Sequence, residues 1–165
     1  MCIRDRIGEP RSTVDVDIAV ALSADRLPQL LERVRPSFYV PDVAAARAVS
    51  EKESFNIIHN EEAMKVDLFV LGDGVLDANQ LSRRVQFALP TEPPAMVWIT
   101  SPEDQVLRKL DWYRQSGQVS DRQMRDVIAI LNINGDSLDM TYLTKTAELV
   151  GLSQLLDRAK QAANL

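Results

Sequence analysis

Residues 13–22, which read TVDVDIAVAL, constrain the fold more strongly than any other stretch of the chain. Apolar and polar side chains alternate up to Ile18, and the residues after it are apolar on both sides. Alternation with period two predicts a β-strand, and the apolar continuation predicts a strand near the middle of a sheet. Asp15 and Asp17 are then expected on one face of this strand, about 7 Å apart.

Further strand and helix patterns follow, and their character changes at Ser101. Before it, short strands and helices mix, and the polar turn 60–62 joins two strands into a hairpin. After it the spacing is helical, and Ser23 and Ser101 are predicted N-caps. We predict an α+β fold: a small mixed β-sheet core with flanking helices over residues 7–100, then a helical C-terminal region over 101–165. Extended segments are predicted over 37–41, 54–59, 63–71, 85–89 and 95–100, and helices over 24–35, from 42, and over 77–84, 102–116, 120–133, 138–149 and 152–163.

Length and composition exclude several classes of protein. The 165 residues predict one domain with a small helical appendage, and the net charge of −5 gives no help in binding a nucleic-acid backbone. A single cysteine excludes an intrachain disulfide framework and a cysteine zinc site. The single histidine, His59, excludes a multi-histidine metal site, and we expect it to end a strand. No apolar run suits a membrane span or a signal peptide, so a cytoplasmic location is expected.

A third acid, Asp67, lies in the apolar stretch KVDLFVL between Val66 and Leu68. An unpaired carboxylate there is costly to ionise. We infer that Asp67 lies beside Asp15 and Asp17 on a neighbouring strand, with a divalent cation between them. Mg²⁺ takes carboxylate oxygens and keeps positions for water and phosphate, as phosphoryl and nucleotidyl transfer require. The alternative is that the paired acids are solvated on an outer strand face.

Other polar and aromatic residues suggest packing more than recognition. Trp98, Trp112 and Tyr113 are interpreted as core or helix-packing residues. Basic and acidic side chains are equally numerous between residues 101 and 126, so no basic face for nucleic acid is predicted.

The first six residues, MCIRDR, back-translate to a transposon end that is used in sequencing-library preparation. We expect residues 1–6 to be a sequencing-adapter artefact, and therefore exclude them from the interpretation of the fold. On this reading Cys2 is not native and the true N-terminus is missing.

Three stretches carry a family resemblance that covers about residues 7–160. GEPRSTVDVDIAV (8–20) resembles the G-x-x-R-x-T-x-D-[IV]-D signature of the nucleotidyltransferase superfamily, and is most similar to the bacterial group related to abortive-infection nucleotidyltransferase toxins. KVDLFVL (65–71) resembles the strand that bears the third acid of that family. SPEDQVLRKLDWYR, followed by SDRQMRDVIAIL, resembles its helical segment.

The resemblance implies a set of site residues. The acids Asp15, Asp17 and Asp67 would bind Mg²⁺, and Asp67 would also activate the acceptor hydroxyl. Nucleotide binding would involve Arg11, Ser12, Thr13, Lys109 and Asp126, although Arg11 could equally pair with a local carboxylate. For Lys109 the alternative is a solvated helix residue, and for Asp126 it is an i,i+4 pair with Arg122.

The sequence departs from the family at one position. The family has a Gly-Gly or Gly-Ser pair about a dozen residues before the first acid, where backbone N–H groups meet the triphosphate. That position falls within MCIRDR, so we expect a truncated fragment that lacks the first strand and the glycine motif, and this fragment could be inactive.

The resemblance implies a Mg²⁺-dependent nucleotidyltransferase that moves an NMP from an NTP to a hydroxyl of a protein, an RNA or a small molecule. One alternative is a non-catalytic interaction protein of the same fold, with a cognate antitoxin as its partner. A second alternative is a metal-dependent phosphohydrolase.

Overall fold

The computed structural model describes residues 16–62 and 64–164, which form two compact units, 16–73 and 74–164. The fold is α+β, as predicted. The strands are β1 (Val16–Val20), β2 (Phe38–Tyr39), β3 (Ser54–His59), β4 (Lys65–Val70), β5 (Val85–Leu89) and β6 (Ala95–Ile99). The helices are α1 (Leu27–Val34), α2 (Asp42–Glu51), α3 (Val75–Ser82), α4 (Pro102–Gln115), α5 (Asp121–Asn134), α6 (Met140–Leu149) and α7 (Ser153–Ala162).

The first unit is a four-stranded mixed sheet with the order β1-β4-β3-β2. β1 and β4 are parallel, whereas β3 pairs with β4 and with β2 in the antiparallel direction. The hairpin predicted around residues 60–62 is confirmed, because β3 and β4 pair directly on either side of that turn.

Burial in the first unit alternates along β3 and β4, so the two faces of the sheet differ. One face packs against the apolar sides of α1 and α2, which bury Leu31 and Ala48 in the same cluster. The other face carries the polar members of β1, β3 and β4. The side chains that form the sheet part of the core are Phe55, Ile57, Val66, Leu68 and Val70.

The prediction that the first strand lies near the middle of a sheet is wrong for the described residues. β1 lies at one edge of the sheet, and Val16 and Ile18 are 41% and 42% exposed. Only Val20, at the carboxyl end of the strand, packs against the core cluster. The apolar residues after Ile18 therefore mark the carboxyl end of β1, which contacts the core. They do not indicate that β1 has a neighbouring strand on each side.

The first helix begins later than predicted. Ser23 does not cap it, because α1 begins at Leu27 with Pro28 in its first turn. The carbonyl of Ser23 accepts from the backbone N–H groups of Arg26 and Leu27, which makes a turn before the helix. Proline favours the first turn of a helix because it has no N–H to leave unpaired, and this signal outweighs the serine. The Ser23 side chain instead hydrogen-bonds Asp25 and lowers the pKa of that carboxyl.

The second unit contains the helices α3–α7 and the two-stranded antiparallel sheet of β5 and β6. Ser101 caps α4 as predicted, since its Oγ accepts from the N–H of Asp104 at 3.2 Å. Leu76 from α3 and Ile99 from β6 pack against the helical core, which explains why the units divide after Asp73 and not after residue 100. The fully buried part of that core includes Leu107, Leu110, Leu131, Leu143 and Leu156.

Trp98 is not a core residue, contrary to the interpretation from sequence. It is 57% exposed on the outer face of the β5–β6 sheet, where the Arg84 guanidinium lies 4.7 Å from its ring centroid. Tyr113 is buried as expected. Among the described residues, the helices are too short or too polar to traverse a bilayer.

Glycines with positive φ end two of the helices. Gly117 and Gly151 both have φ +70°, a left-handed conformation that costs other residues strain. After Gly117 the N–H of Gln118 donates to the carbonyl of Tyr113, and after Gly151 the N–H of Leu152 donates to the carbonyl of Ala147. These bonds satisfy carbonyl groups in the last turns of α4 and α6.

The substitution Gly117→Ala is expected to lower the free energy of unfolding by about 1–2 kcal/mol, the strain of a left-handed residue with a Cβ. An added Cβ meets nothing within 4 Å, so a steric clash makes no contribution. Urea denaturation followed by circular dichroism measures the change. Gly117→Asn is the control and should lose less, because asparagine tolerates this conformation. Equal stability of the alanine variant and the wild type would contradict the assignment.

Candidate functional site

Two acids that are separated by 50 positions in the sequence lie side by side on the sheet. In the parallel pair of β1 and β4, Asp17 is the direct partner of Asp67. Neighbouring strands are about 4.8 Å apart, and aligned residues of parallel strands point to the same face. The two carboxylates therefore share one face and lie on adjacent strands, as the sequence-based inference requires of this pair.

The face that carries Asp17 and Asp67 is opposite the core. Asp17 is exposed, and the side chain of Asp67 is 22% exposed. Val66 and Leu68, which flank Asp67 in the sequence, point to the other face and are buried. The apolar neighbours of Asp67 thus anchor the strand in the core without surrounding the carboxylate.

Lys65 neutralises part of this negative charge. Its Nζ lies 2.8 Å from Oδ2 of Asp67, and its side chain is 39% exposed. Residues i and i+2 of a strand share a face, so the sequence KVD already contained this signal. From the sequence we expected a divalent cation to offset the free-energy cost of ionising Asp67. In the structure the ammonium group of Lys65 offsets part of that cost.

An amide extends the polar row on the other side of Asp67. Asn56 on β3 is the direct partner of Asp67, so Asp17, Asp67 and Asn56 form one row across three strands. Asn56 is exposed and offers an amide oxygen and an NH₂ group to a ligand. Asn56 was not among the predicted site residues, because a turn over 60–62 pairs residue 59 with residue 63 and would set Asn56 opposite Val66, whereas the observed register pairs it with Asp67.

The donor set of this row fits a hard divalent cation. Two carboxylates and an amide oxygen on one face are ligands that Mg²⁺ prefers, and two protein carboxylates are a common number for a magnesium ion that also binds phosphate. Asp15 lies outside the described residues. Within residues 16–62 and 64–164, no group of three or more His, Cys, Asp or Glu residues has the arrangement of a metal site.

Lys109 and Asp126, the candidates in the helical region, contact each other. Lys109 Nζ lies 2.7 Å from Asp126 Oδ2, and each side chain is 9% exposed. Gln123 Oε1 accepts a further, longer bond from the same ammonium at 3.4 Å. Lys109 is therefore not solvated, and the partner of Asp126 is Lys109 on α4 instead of Arg122 on its own helix. Arg11, Ser12 and Thr13 lie outside the described residues.

A second polar cluster joins α4 to α6. The buried carboxylate of Asp104 accepts from the hydroxyl of Ser101 at 2.7 Å and from the hydroxyl of Tyr142. The Arg83 guanidinium lies 3.6 Å from the Tyr142 ring centroid and 3.4 Å from the carboxylate. Burial and the bond to Asp104 raise the pKa of Tyr142 to about 12. Ser101, Asp104 and Tyr142 are hydrogen-bonded to one another, whereas the buried Arg83 Nε contacts Asp104 only as an ion pair and has no hydrogen-bond partner among the described residues. The hydrogen bonds of this cluster are those of a structural junction.

Comparisons of the chain with protein-family models, with curated proteins and with solved structures found no match. The geometry of the described residues therefore carries the functional argument, together with the motifs of the sequence.

Replacing Lys109 by Met is expected to cost about 3–5 kcal/mol of unfolding free energy, because Asp126 stays buried without its ammonium partner. The double variant Lys109→Met, Asp126→Leu should recover most of the loss. Urea denaturation measures both. The control is Arg47→Met, which removes exposed ion pairs with Glu51 and Glu53 and should cost less than about 1 kcal/mol. Similar losses for Lys109→Met and Arg47→Met would contradict the buried pair.

The raised pKa of Tyr142 predicts a pH dependence of stability. Below pH 10 the tyrosine is protonated in both states, whereas between pH 10 and about 12 the unfolded state loses the proton first. Stability should therefore fall as pH rises through this window, and fall less in Tyr142→Phe. Thermal melting of both proteins across the window measures the difference. Parallel pH profiles would show that Tyr142 does not contribute.

Proposed function

We propose that the chain is a Mg²⁺-dependent nucleotidyltransferase of the superfamily that its motifs resemble, and that it moves an NMP from an NTP to a hydroxyl. The observation that supports this proposal most strongly is the alignment of Asp17 with Asp67 on adjacent parallel strands. From the sequence we inferred that carboxylates of two separate segments meet on one face, and the register aligns Asp17 with Asp67.

The proposed reaction follows from the chemistry of such a face. The acceptor oxygen forms a bond to the α-phosphorus of the NTP, the α–β phosphoanhydride bond breaks, and pyrophosphate leaves with the electron pair. A Mg²⁺ ion bound by Asp15, Asp17 and Asp67 would neutralise charge on the phosphate oxygens. Asp67 would accept the proton of the acceptor hydroxyl, because its carboxylate lies on the open face.

Residues outside the acid pair would bind the nucleotide. Arg11, Ser12 and Thr13 directly precede the acids, and Arg11 would hold a triphosphate oxygen with its guanidinium group. The resemblance also assigns nucleotide binding to Lys109 and Asp126, whose buried side chains pair with each other in this structure. The acceptor would be a protein, an RNA or a small molecule, and a cognate antitoxin and a cytoplasmic location complete the proposal.

The decisive assay follows transfer of radiolabel from an α-phosphate-labelled NTP with Mg²⁺. Both the chain itself and a version in which the genomic residues upstream of Ile7 stand in place of residues 1–6 are assayed. Asp17→Asn and Asp67→Asn should each reduce transfer about a hundredfold or more, since each removes charge that holds the cation. Glu61→Gln is the matched control: it removes an exposed acid from the β3–β4 turn and should leave transfer unchanged.

The released product separates the alternatives. Pyrophosphate supports the nucleotidyltransferase, whereas inorganic phosphate with no labelled acceptor supports the phosphohydrolase. If no NTP gives transfer or hydrolysis with any candidate acceptor, the proposal fails and the non-catalytic interaction protein is favoured.

A further inference from the structure

We infer that Lys65 is an internal counter-ion of Asp17 and Asp67, here called the acidic row, and that it competes with a divalent cation for the carboxylate of Asp67. This inference rests on the metal site of the proposed function and gives a role to Lys65, to which the resemblance assigns none. Its basis is the contact between Lys65 Nζ and Asp67 Oδ2 at 2.8 Å.

The register explains why a counter-ion is needed at this place. Asp17 and Asp67 are direct neighbours on β1 and β4, and like charges side by side on a sheet are destabilising. The strands cannot shift to separate them, because a shift of one residue would move Val66 and Leu68 out of the core. A cation on the same face relieves the repulsion without moving the backbone, and Lys65 is the neighbour of Asp67 on that face.

The contact between Lys65 and Asp67 is also the reason why the lysine and a divalent cation compete for the same carboxylate oxygen. Asp67 Oδ2 forms an ion pair with Lys65 Nζ at 2.8 Å, and a divalent cation that takes this oxygen must bring two positive charges close to the ammonium. Since like charges repel, the lysine has to swing away when the cation binds. The flexible four-carbon stem allows this movement, and at 39% exposure the side chain has access to solvent. The released ammonium would remain on the open face, next to the place where phosphate oxygens would bind.

Isothermal titration of the whole chain with MgCl₂, and with MnCl₂ as a second probe, tests the competition. Lys65→Met should bind either ion about two- to fivefold more tightly than the wild type, as loss of one exposed ion pair predicts. Lys65→Arg keeps the charge and should bind like the wild type. Lys52→Met is the matched control: it removes an exposed lysine at the end of α2, away from the acidic row in sequence and on another element, and should leave the affinity unchanged.

Thermal melting gives a second readout that needs no activity. In a metal chelator Lys65→Met should melt below the wild type, because the acids lose their counter-ion. Saturating MgCl₂ should raise the melting temperature of Lys65→Met by more than that of the wild type. A merely structural ion pair would lower the melting temperature by the same amount in both conditions.

The outcomes separate this inference from the proposed function. If the wild type binds Mg²⁺ and Lys65→Met binds it equally or more weakly, the competition is wrong while the metal site stands. If neither protein binds Mg²⁺ or Mn²⁺, the metal site fails and the competition fails with it. The inference is supported if Lys65→Met binds Mg²⁺ more tightly than the wild type, and if adding Asp67→Asn removes the binding in both proteins.

Discussion

The parallel pairing of β1 with β4 is the constraint on which the rest of the candidate site depends. It sets Asp17 against Asp67, and its register is held by apolar burial on the other face, where Val66, Leu68 and Val70 meet the helices. The two carboxylates are not brought together by attraction to each other. Burial of their neighbours forces them together, and the resulting repulsion has to be relieved by a cation on the polar face.

Local patterns predicted most of the elements because the spacing of apolar side chains is a local property. The β3–β4 hairpin, the capped start of α4 and the four C-terminal helices lie close to their predicted positions. The predicted start of α1 was wrong because the helix begins beside Pro28 and not at Ser23. The place of β1 at the end of the strand order and the separate pairing of β5 with β6 depend on which strands meet, and periodicity within a strand carries no information about its neighbours.

The site residues show the same division between local and long-range information. The D-x-D motif was compatible with solvated acids or with a shared cation, and the lone acid in the apolar strand around Asp67 favoured the shared cation. The contact of Lys109 with Asp126 was not predicted, because it depends on how α4 packs against α5 and not on spacing along one helix. Lys65 was missed for a different reason. Its i,i+2 relation to Asp67 is local, but the sequence-based interpretation already attributed neutralisation of the Asp67 charge to a metal ion.

The two lysine–aspartate pairs illustrate how burial decides what an ion pair can do. Lys109 and Asp126 are 9% exposed each, so a cation could replace the ammonium only if the helices separated and left polar groups unpaired. Lys65 and Asp67 are 39% and 22% exposed, and solvent can accept the ammonium group when it leaves. The net gain of such an exposed pair is small, because water screens both charges. A contact that contributes little to stability is one that a divalent ion can displace, and the weakness of the Lys65–Asp67 pair is therefore what makes it suitable for exchange.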